Sequence, residues 1–383
     1  MLAAEDLAVD RQLADLSGSF QFLVDLTPVN VAEARKKFLR SADEEPGFQY
    51  RPLEDDPEVL RAELDAVDVE SVSDPTLAYL VQAKRRELEL QIEMLAARCT
   101  SDFRTLSIEL FGTVSPGLLN EAREILRVFD GAAAPSNGLL NADQLAQLAE
   151  QELNHYRAVA PDLSAHVEIR SDVGGVMVAN GDLFIPPGIQ VSRTRAAALL
   201  HHEIGTHVLT YVNGCHQPLR LLAAGLADYE ETQEGLALLA EVLSGGFTRA
   251  RLRQVAGRVI AVYRMVEGAT FRTVHDELVG AGFMPANAFG MTMRLFRSGG
   301  LTKDLVYLRG LVNLLSHIHA GRGLDVLWLG KMPLEAAPLV EELRDQGALT
   351  EPLLRPRYLD DPSAARRLGD IAQAETVLDL IEV

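Results

Sequence analysis

The sequence predicts an α+β fold dominated by helices, and three observations carry that expectation. Apolar residues recur at helical spacing through most of the 383-residue chain. One Asn-Gly pair, Asn180-Gly181, joins two short runs that alternate as strands do. Hydrophobic residues make up 48% and charged residues 24%, the usage of an ordinary folded domain and not of a disordered or fibrous chain.

Taken in order, residues 1–40 read as helical, with a break at Thr27-Pro28-Val29-Asn30 and a restart near Val31. Residues 43–70 hold eleven acids and two arginines around Pro46, Pro52 and Pro57, which predicts a loose connection and a short helix. Leu77, Leu80, Val81, Leu88, Ile92 and Leu95 mark a long amphipathic helix from Pro75 to about Arg98. The small-residue stretch Gly131 to Gly138 suggests a boundary between an acidic, mainly helical N-terminal region, 1–135, and a second domain, 136–383.

A helix is expected at about Ala142–Ala158, followed by the hairpin Val176–Ala179 and Asp182–Ile185 with its type I′ turn. Pro186-Pro187-Gly188 ends the hairpin, Ser192 can cap the next helix, and Asn213-Gly214 is expected to stop that helix just beyond Tyr211. Helices are then predicted at about 218–226, 228–243, 248–267, 270–280, 285–297, 302–319 and 333–345.

Charge and composition exclude several functions. A formal charge of −19 opposes general affinity for nucleic acid or anionic membranes, so neither is expected as a partner. No apolar run reaches about 18 residues and the N-terminus lacks the features of a signal peptide, so a cytoplasmic location is expected. Cys99 and Cys215 are too few for a disulfide framework or a thiolate zinc site. Residues 1–150 carry 28 acids and 14 bases, whereas Phe247 to Gly310 reverses the sign with ten bases and four acids. That basic segment is a candidate wall for an anionic ligand.

The chemistry concentrates in His201-His202-Glu203-Ile204-Gly205-Thr206-His207. Two imidazoles one turn apart can hold a metal, and a carboxylate beside the first can act on a bound water. His202 and His207 are five residues apart, about 140° around a helix of 3.6 residues per turn, and cannot share one metal on a regular helix. A π-bulge or kink is therefore predicted, with Gly205 placed to permit it. Downstream, Glu234 lies in an apolar run, Gly235-Leu-Ala-Leu-Leu-Ala240, where an unpaired charge is costly, and is the candidate third ligand. Glu241, two turns further on, is placed to support a ligand histidine.

These residues resemble a family. His202-Glu203-Ile-Gly-Thr-His207, Thr210-Tyr211, Asn213-Gly214, Gln217-Pro218-Leu219, Gln233-Glu234-Gly235-Leu236-Ala237 and Gly299-Gly300-Leu-Thr302-Lys303-Asp304 with Tyr307-Leu308 are similar to the QEGLA-motif proteins. That family carries the bacterial label flavohemoglobin expression-modulating and is related to microtubule-associated tyrosine carboxypeptidases. The resemblance, with a weaker stretch at Phe22–Asn30, covers nearly the whole chain. It implies a gluzincin-like zinc (Zn2+) peptidase in which His202, His207 and Glu234 bind the metal and Glu203 is the catalytic base. The histidine spacing also resembles that of dipeptidyl peptidase III. The sequence departs from the family pattern at Ser298, where a glycine is expected.

The activity expected is that of a carboxypeptidase acting on the C-terminus of a peptide or protein. Arg297 and Lys303 are candidates for the substrate carboxylate, because Gly299-Gly300 precede a helix with Thr302 as its expected cap and a helix N-terminus attracts anions. Tyr307 is the candidate donor to a developing oxyanion. The hairpin is the expected support for an extended peptide. Tubulin is not expected as a partner, since no microtubule-binding extension is evident. The competing readings are a non-catalytic regulatory or binding protein on the same fold and a zinc aminopeptidase or dipeptidyl peptidase.

Overall fold

The computed structural model describes residues 2–41, 45–129 and 138–381. It is mostly helical with two small sheets. The predicted boundary between 135 and 136 lies outside the described residues. The main hydrophobic core runs from Val9 through the long helices to Leu380, so N-terminal and C-terminal segments share one apolar interior.

Helix α1 (Ala4–Ser19) and helix α2 (Pro75–Ala96) begin this core. Asp74 caps α2 by accepting from the Leu77 N–H, with Pro75 at the first helical position where no N–H is needed. Two buried acids of α1 tie the chain together. Asp6 accepts from the backbone of Ser73 and Asp74, and Asp10 accepts from the N–H groups of Arg220 and Leu221.

The site region starts with β1 (Leu139–Leu140) and α3 (Ala142–Arg157), whose Asn141 and Gln144 form a capping box. Strands β2 (Val167–Ile169), β3 (Met177–Ala179) and β4 (Asp182–Ile185) make a sheet ordered β2-β4-β3, with β3 and β4 antiparallel as predicted. Asn180 and Gly181 both have positive φ, 49° and 86°, as a type I′ turn requires. Strand β5 (Val191–Ser192) pairs with β1. Strands β1, β2 and β5 have two or three residues each, too short to leave an alternating pattern in the sequence.

Helix α4 (Arg193–His202) starts at Ser192, whose side chain accepts from the Arg195 N–H. It continues as a π-helical turn over Glu203–Val208 and then as α5 (Leu209–His216). The expected stop at Asn213-Gly214 is therefore corrected, because tertiary contacts occupy both residues within the helix. The Asn213 amide donates to the Trp328 and Leu354 carbonyls and its oxygen accepts from the Leu354 N–H. A Cβ on Gly214 would sit 2.3 Å from the Leu222 carbonyl oxygen.

Four helices close the cleft: α6 (Tyr229–Leu243), α7 (Arg249–Val266), α8 (Pro285–Phe296) and α9 (Val306–His319). Helices α6 and α9 touch backbone to backbone. A Cβ on Gly235 would lie 2.6 Å from the Gly310 carbonyl carbon, and one on Gly310 would lie 2.0 Å from the Glu231 carbonyl oxygen. This close approach fixes α6 at the floor of the cleft.

Candidate metal centre and cleft

In the π-helical turn the Leu209 N–H reaches the Ile204 carbonyl, five residues back. The added residue rotates position 207 onto the face of position 202. The two imidazole centroids are 5.2 Å apart. The predicted bulge is present, and Gly205 serves packing as well, since a Cβ there would approach the Tyr358 ring at 3.3 Å.

Helix α6 brings Glu234 to the same point. Its Oε2 lies 3.6 Å from Nε2 of His202 and 3.8 Å from Nε2 of His207. One ligand atom from each of the three residues falls within 4.8 Å of the others. Oε2 of Glu234 is buried and has no hydrogen-bond partner. Two nitrogens and one carboxylate oxygen are a donor set that suits zinc, and each histidine is anchored through its other nitrogen. Nδ1 of His202 is 2.9 Å from Oε1 of Glu241, and Nδ1 of His207 is 3.3 Å from Oε1 of Gln233, which also accepts from Thr210.

The electrostatics agree with a cation site. Burial works against charge on Glu234, and His202, Lys303 and His207 outweigh it, holding the carboxyl well below the usual range. Burial pushes the His207 ring down to about 4, partly offset by Glu234, so it is a neutral donor. At His202 burial also opposes charge, but Glu234 and Glu241 outweigh it and lift the ring to about 9. The two carboxylates thus favour positive charge at that ring, which a proton or a metal ion can supply.

Glu203, at the start of the π-helical turn, lines the same cleft of about 650 Å³. Burial raises its carboxyl to about 7; His202 lowers it and Glu234 adds to the rise. Its carboxylate makes no hydrogen bond to any described residue, so it is open to accept a proton from something in the cleft.

The remaining predicted residues divide. Tyr307 lines the cleft under the Arg258 guanidinium, which sits 4.8 Å from the ring centroid. Arg297 also lines the cleft, 6% exposed, and donates to Thr27 Oγ1. Lys303 also lines the cleft, 3.3 Å from Glu230 and 3.8 Å from Glu234, the third candidate ligand. The expected Thr302 cap is corrected. Thr302 is buried against Ser107, its hydroxyl donating to the Ser107 carbonyl and its N–H donating to the Ser107 hydroxyl oxygen, and a 3₁₀ turn over Lys303–Leu305 precedes α9. That helix start is not an open anion site. His275, His317 and His319 satisfy backbone carbonyls or a neighbouring acid, as structural histidines do.

Three features escaped sequence reasoning. Arg258 and Asp304 sit beside Tyr307 and Arg297, with Asp304 1% exposed and doubly bonded by Arg294. Burial opposes charge on Asp304, and Arg294, Arg258 and Arg297 hold it well below the carboxylate range. The N-terminal segment Leu23, Val24 and Thr27 forms part of the cleft wall. Gln233 Nε2 is buried in the same wall without a partner. Arg258 had one signal, a charge inside the apolar run Val255 to Ala261.

A family profile described as microtubule-associated tyrosine carboxypeptidase matches residues 36–375. Microtubule-associated tyrosine carboxypeptidase 1 of Mus musculus is 32% identical over 200 residues, 48% of this chain and 40% of that one. The Homo sapiens protein is 29% identical over 199 residues with the same coverage. The matched stretch thus spans well under half the length of these relatives.

Proposed function

The chain belongs to the microtubule-associated tyrosine carboxypeptidase family, and from that premise we propose that it is a zinc-dependent, gluzincin-like metallopeptidase that removes C-terminal residues from a peptide or protein. The observation that carries this is the convergence of His202, His207 and Glu234 through a π-helical turn, with Glu203 unpaired beside them. A purely structural metal has no use for that fourth, free carboxylate.

In this reading His202 Nε2, His207 Nε2 and Glu234 Oε2 hold zinc. When bound, zinc polarises the scissile carbonyl and acidifies water. Glu203, whose carboxylate is free of other partners among the described residues, takes the proton of the attacking water and returns it to the leaving amine. Tyr307, whose hydroxyl makes no hydrogen bond to a described residue, donates to the oxygen that gains charge. Arg297 faces the substrate, and Lys303 keeps Glu234 ionised and in place.

Arg258 and Arg297, which line the cleft with unpartnered nitrogens, favour an anionic chain end over the amine that an aminopeptidase holds. The microtubule association in the relatives' name is not carried over to this chain. Among the described residues no helix is long and apolar enough to cross a membrane. Metal analysis after dialysis tests the centre: one zinc per chain is expected in the wild type, and loss of zinc in His202→Ala and Glu234→Ala. No zinc in the wild type after incubation with the metal contradicts the reading.

A further inference from the structure

Arg258 is a charge in the cleft wall whose hydrogen-bonding groups go unmet among the described residues. It is 9% exposed and lines the cleft. Its Nε is buried without a hydrogen-bond partner, 3.6 Å from Oδ2 of Asp304 and so beyond hydrogen-bonding distance. Neither terminal nitrogen bonds to a described residue. Arg297 is in a similar state, with Nε buried and unpartnered and a single bond to Thr27. Arg294 is satisfied by two 2.7 Å bonds to Asp304. Asp304 gives both oxygens to Arg294 and only a longer ion pair to Arg258, so the hydrogen-bonding edges of Arg258 and Arg297 are left largely unmet in a mostly buried wall. Buried ionic groups left unpaired are costly, and an arginine fork is matched by the two oxygens of a carboxylate.

We propose that Arg258, with Arg297 beside it, is the anchor for the substrate's terminal carboxylate. The proposal rests on the peptidase reading above and gives it a specificity determinant. Its position suits the task. Arg258 lies over Tyr307, and Lys303, one turn before that tyrosine, reaches Glu234 of the candidate metal centre. The anchor and the candidate metal centre thus line one cleft, as an exopeptidase requires. Asp304, buried and doubly bonded to Arg294, supplies the negative charge that lets the cluster form before substrate arrives.

The test is binding, so it does not depend on turnover. Labelled peptides ending in Ala, Phe, Tyr, Lys or Glu, each as free acid and as C-terminal amide, are titrated by fluorescence anisotropy into Glu203→Gln protein with zinc present. The free acids are expected to bind about thirtyfold or more tightly than the amides, and Arg258→Gln in the same background is expected to remove most of that difference. Equal binding of acid and amide overturns the proposal, and this comparison requires no variant at Arg258. Binding of the Glu amide as tightly as the free acids also overturns it, by assigning the site to a side-chain carboxylate. Selective binding without hydrolysis by the wild type leaves the anchor standing and removes the catalytic reading. Hydrolysis without acid selectivity does the reverse.

Discussion

Oε1 of Glu241 lies 2.9 Å from Nδ1 of His202, and the same carboxylate is gripped by Arg195 and Arg251. Glu241 is fully buried, and burial alone would raise its pKa; the two arginines and His202 outweigh burial and keep it ionised. An ionised acceptor at Nδ1 fixes the tautomer that leaves the Nε2 lone pair free for a metal ion shared with Glu234, and it makes that nitrogen a stronger ligand. Glu241→Gln keeps the shape and removes the charge. It is expected to weaken zinc affinity about tenfold to a hundredfold, read by competition with a chromogenic chelator. Unchanged affinity assigns Glu241 to the arginines alone.

Tyr307 offers a sharper separation of roles. Tyr307→Phe keeps the ring beneath Arg258 and removes only the hydroxyl. Turnover is expected to fall on the order of a hundredfold with zinc content unchanged, since one oxyanion donor is worth about that much. Turnover within a factor of two of the wild type excludes the hydroxyl from the reaction.

The floor of the cleft depends on two glycines. Gly310→Ala places a methyl 2.0 Å from the Glu231 carbonyl oxygen, a backbone atom that cannot turn aside. Overpacking of this kind costs about 3 kcal/mol or more, and thermal unfolding is expected to show it directly. A melting temperature equal to the wild type's contradicts the close packing of α6 on α9.

Ser298 holds φ +58°, where glycine is at ease and other residues are strained, and its hydroxyl donates to the Leu26 carbonyl. The family's expected glycine therefore suits the backbone, and this chain substitutes a hydrogen bond. Ser298→Gly trades about 1 kcal/mol of bond for about 1 kcal/mol of relieved strain and is expected to be near neutral. Ser298→Ala loses the bond, keeps the strain and is expected to be the less stable of the two. Equal stability of Ala and Gly at this position contradicts that account.

How much of this was legible in the sequence depends on how local each signal is. His202 and His207 are five residues apart, so a metal shared between them required the π-helical turn that is found. Glu234 was legible because an acid in an apolar helix needs a partner. The Asn180-Gly181 turn was legible because few residue pairs tolerate two positive φ angles. Asn213-Gly214 misled for the same reason in reverse: a local stop signal was overridden by contacts with Trp328, Leu354 and Leu222, more than a hundred residues away for the first two. Thr302 was read as a helix cap from a local helix-start pattern, while the fold turns it to Ser107 across the molecule. The cluster of Arg258, Arg294 and Asp304 joins two helices and a turn, and no spacing within one element announces it.

The proposed enzyme removes single residues from a chain's C-terminus, with His202, His207 and Glu234 as the zinc ligands and Glu203 as base. Mass spectrometry of a mixed peptide library incubated with zinc-loaded protein tests it most directly, with free-acid and amidated peptides and Glu203→Gln as control. The account predicts stepwise loss of C-terminal residues from the free acids alone, abolished by the substitution. Internal cleavage, cleavage of the amides, or no cleavage with one zinc bound per chain would contradict it.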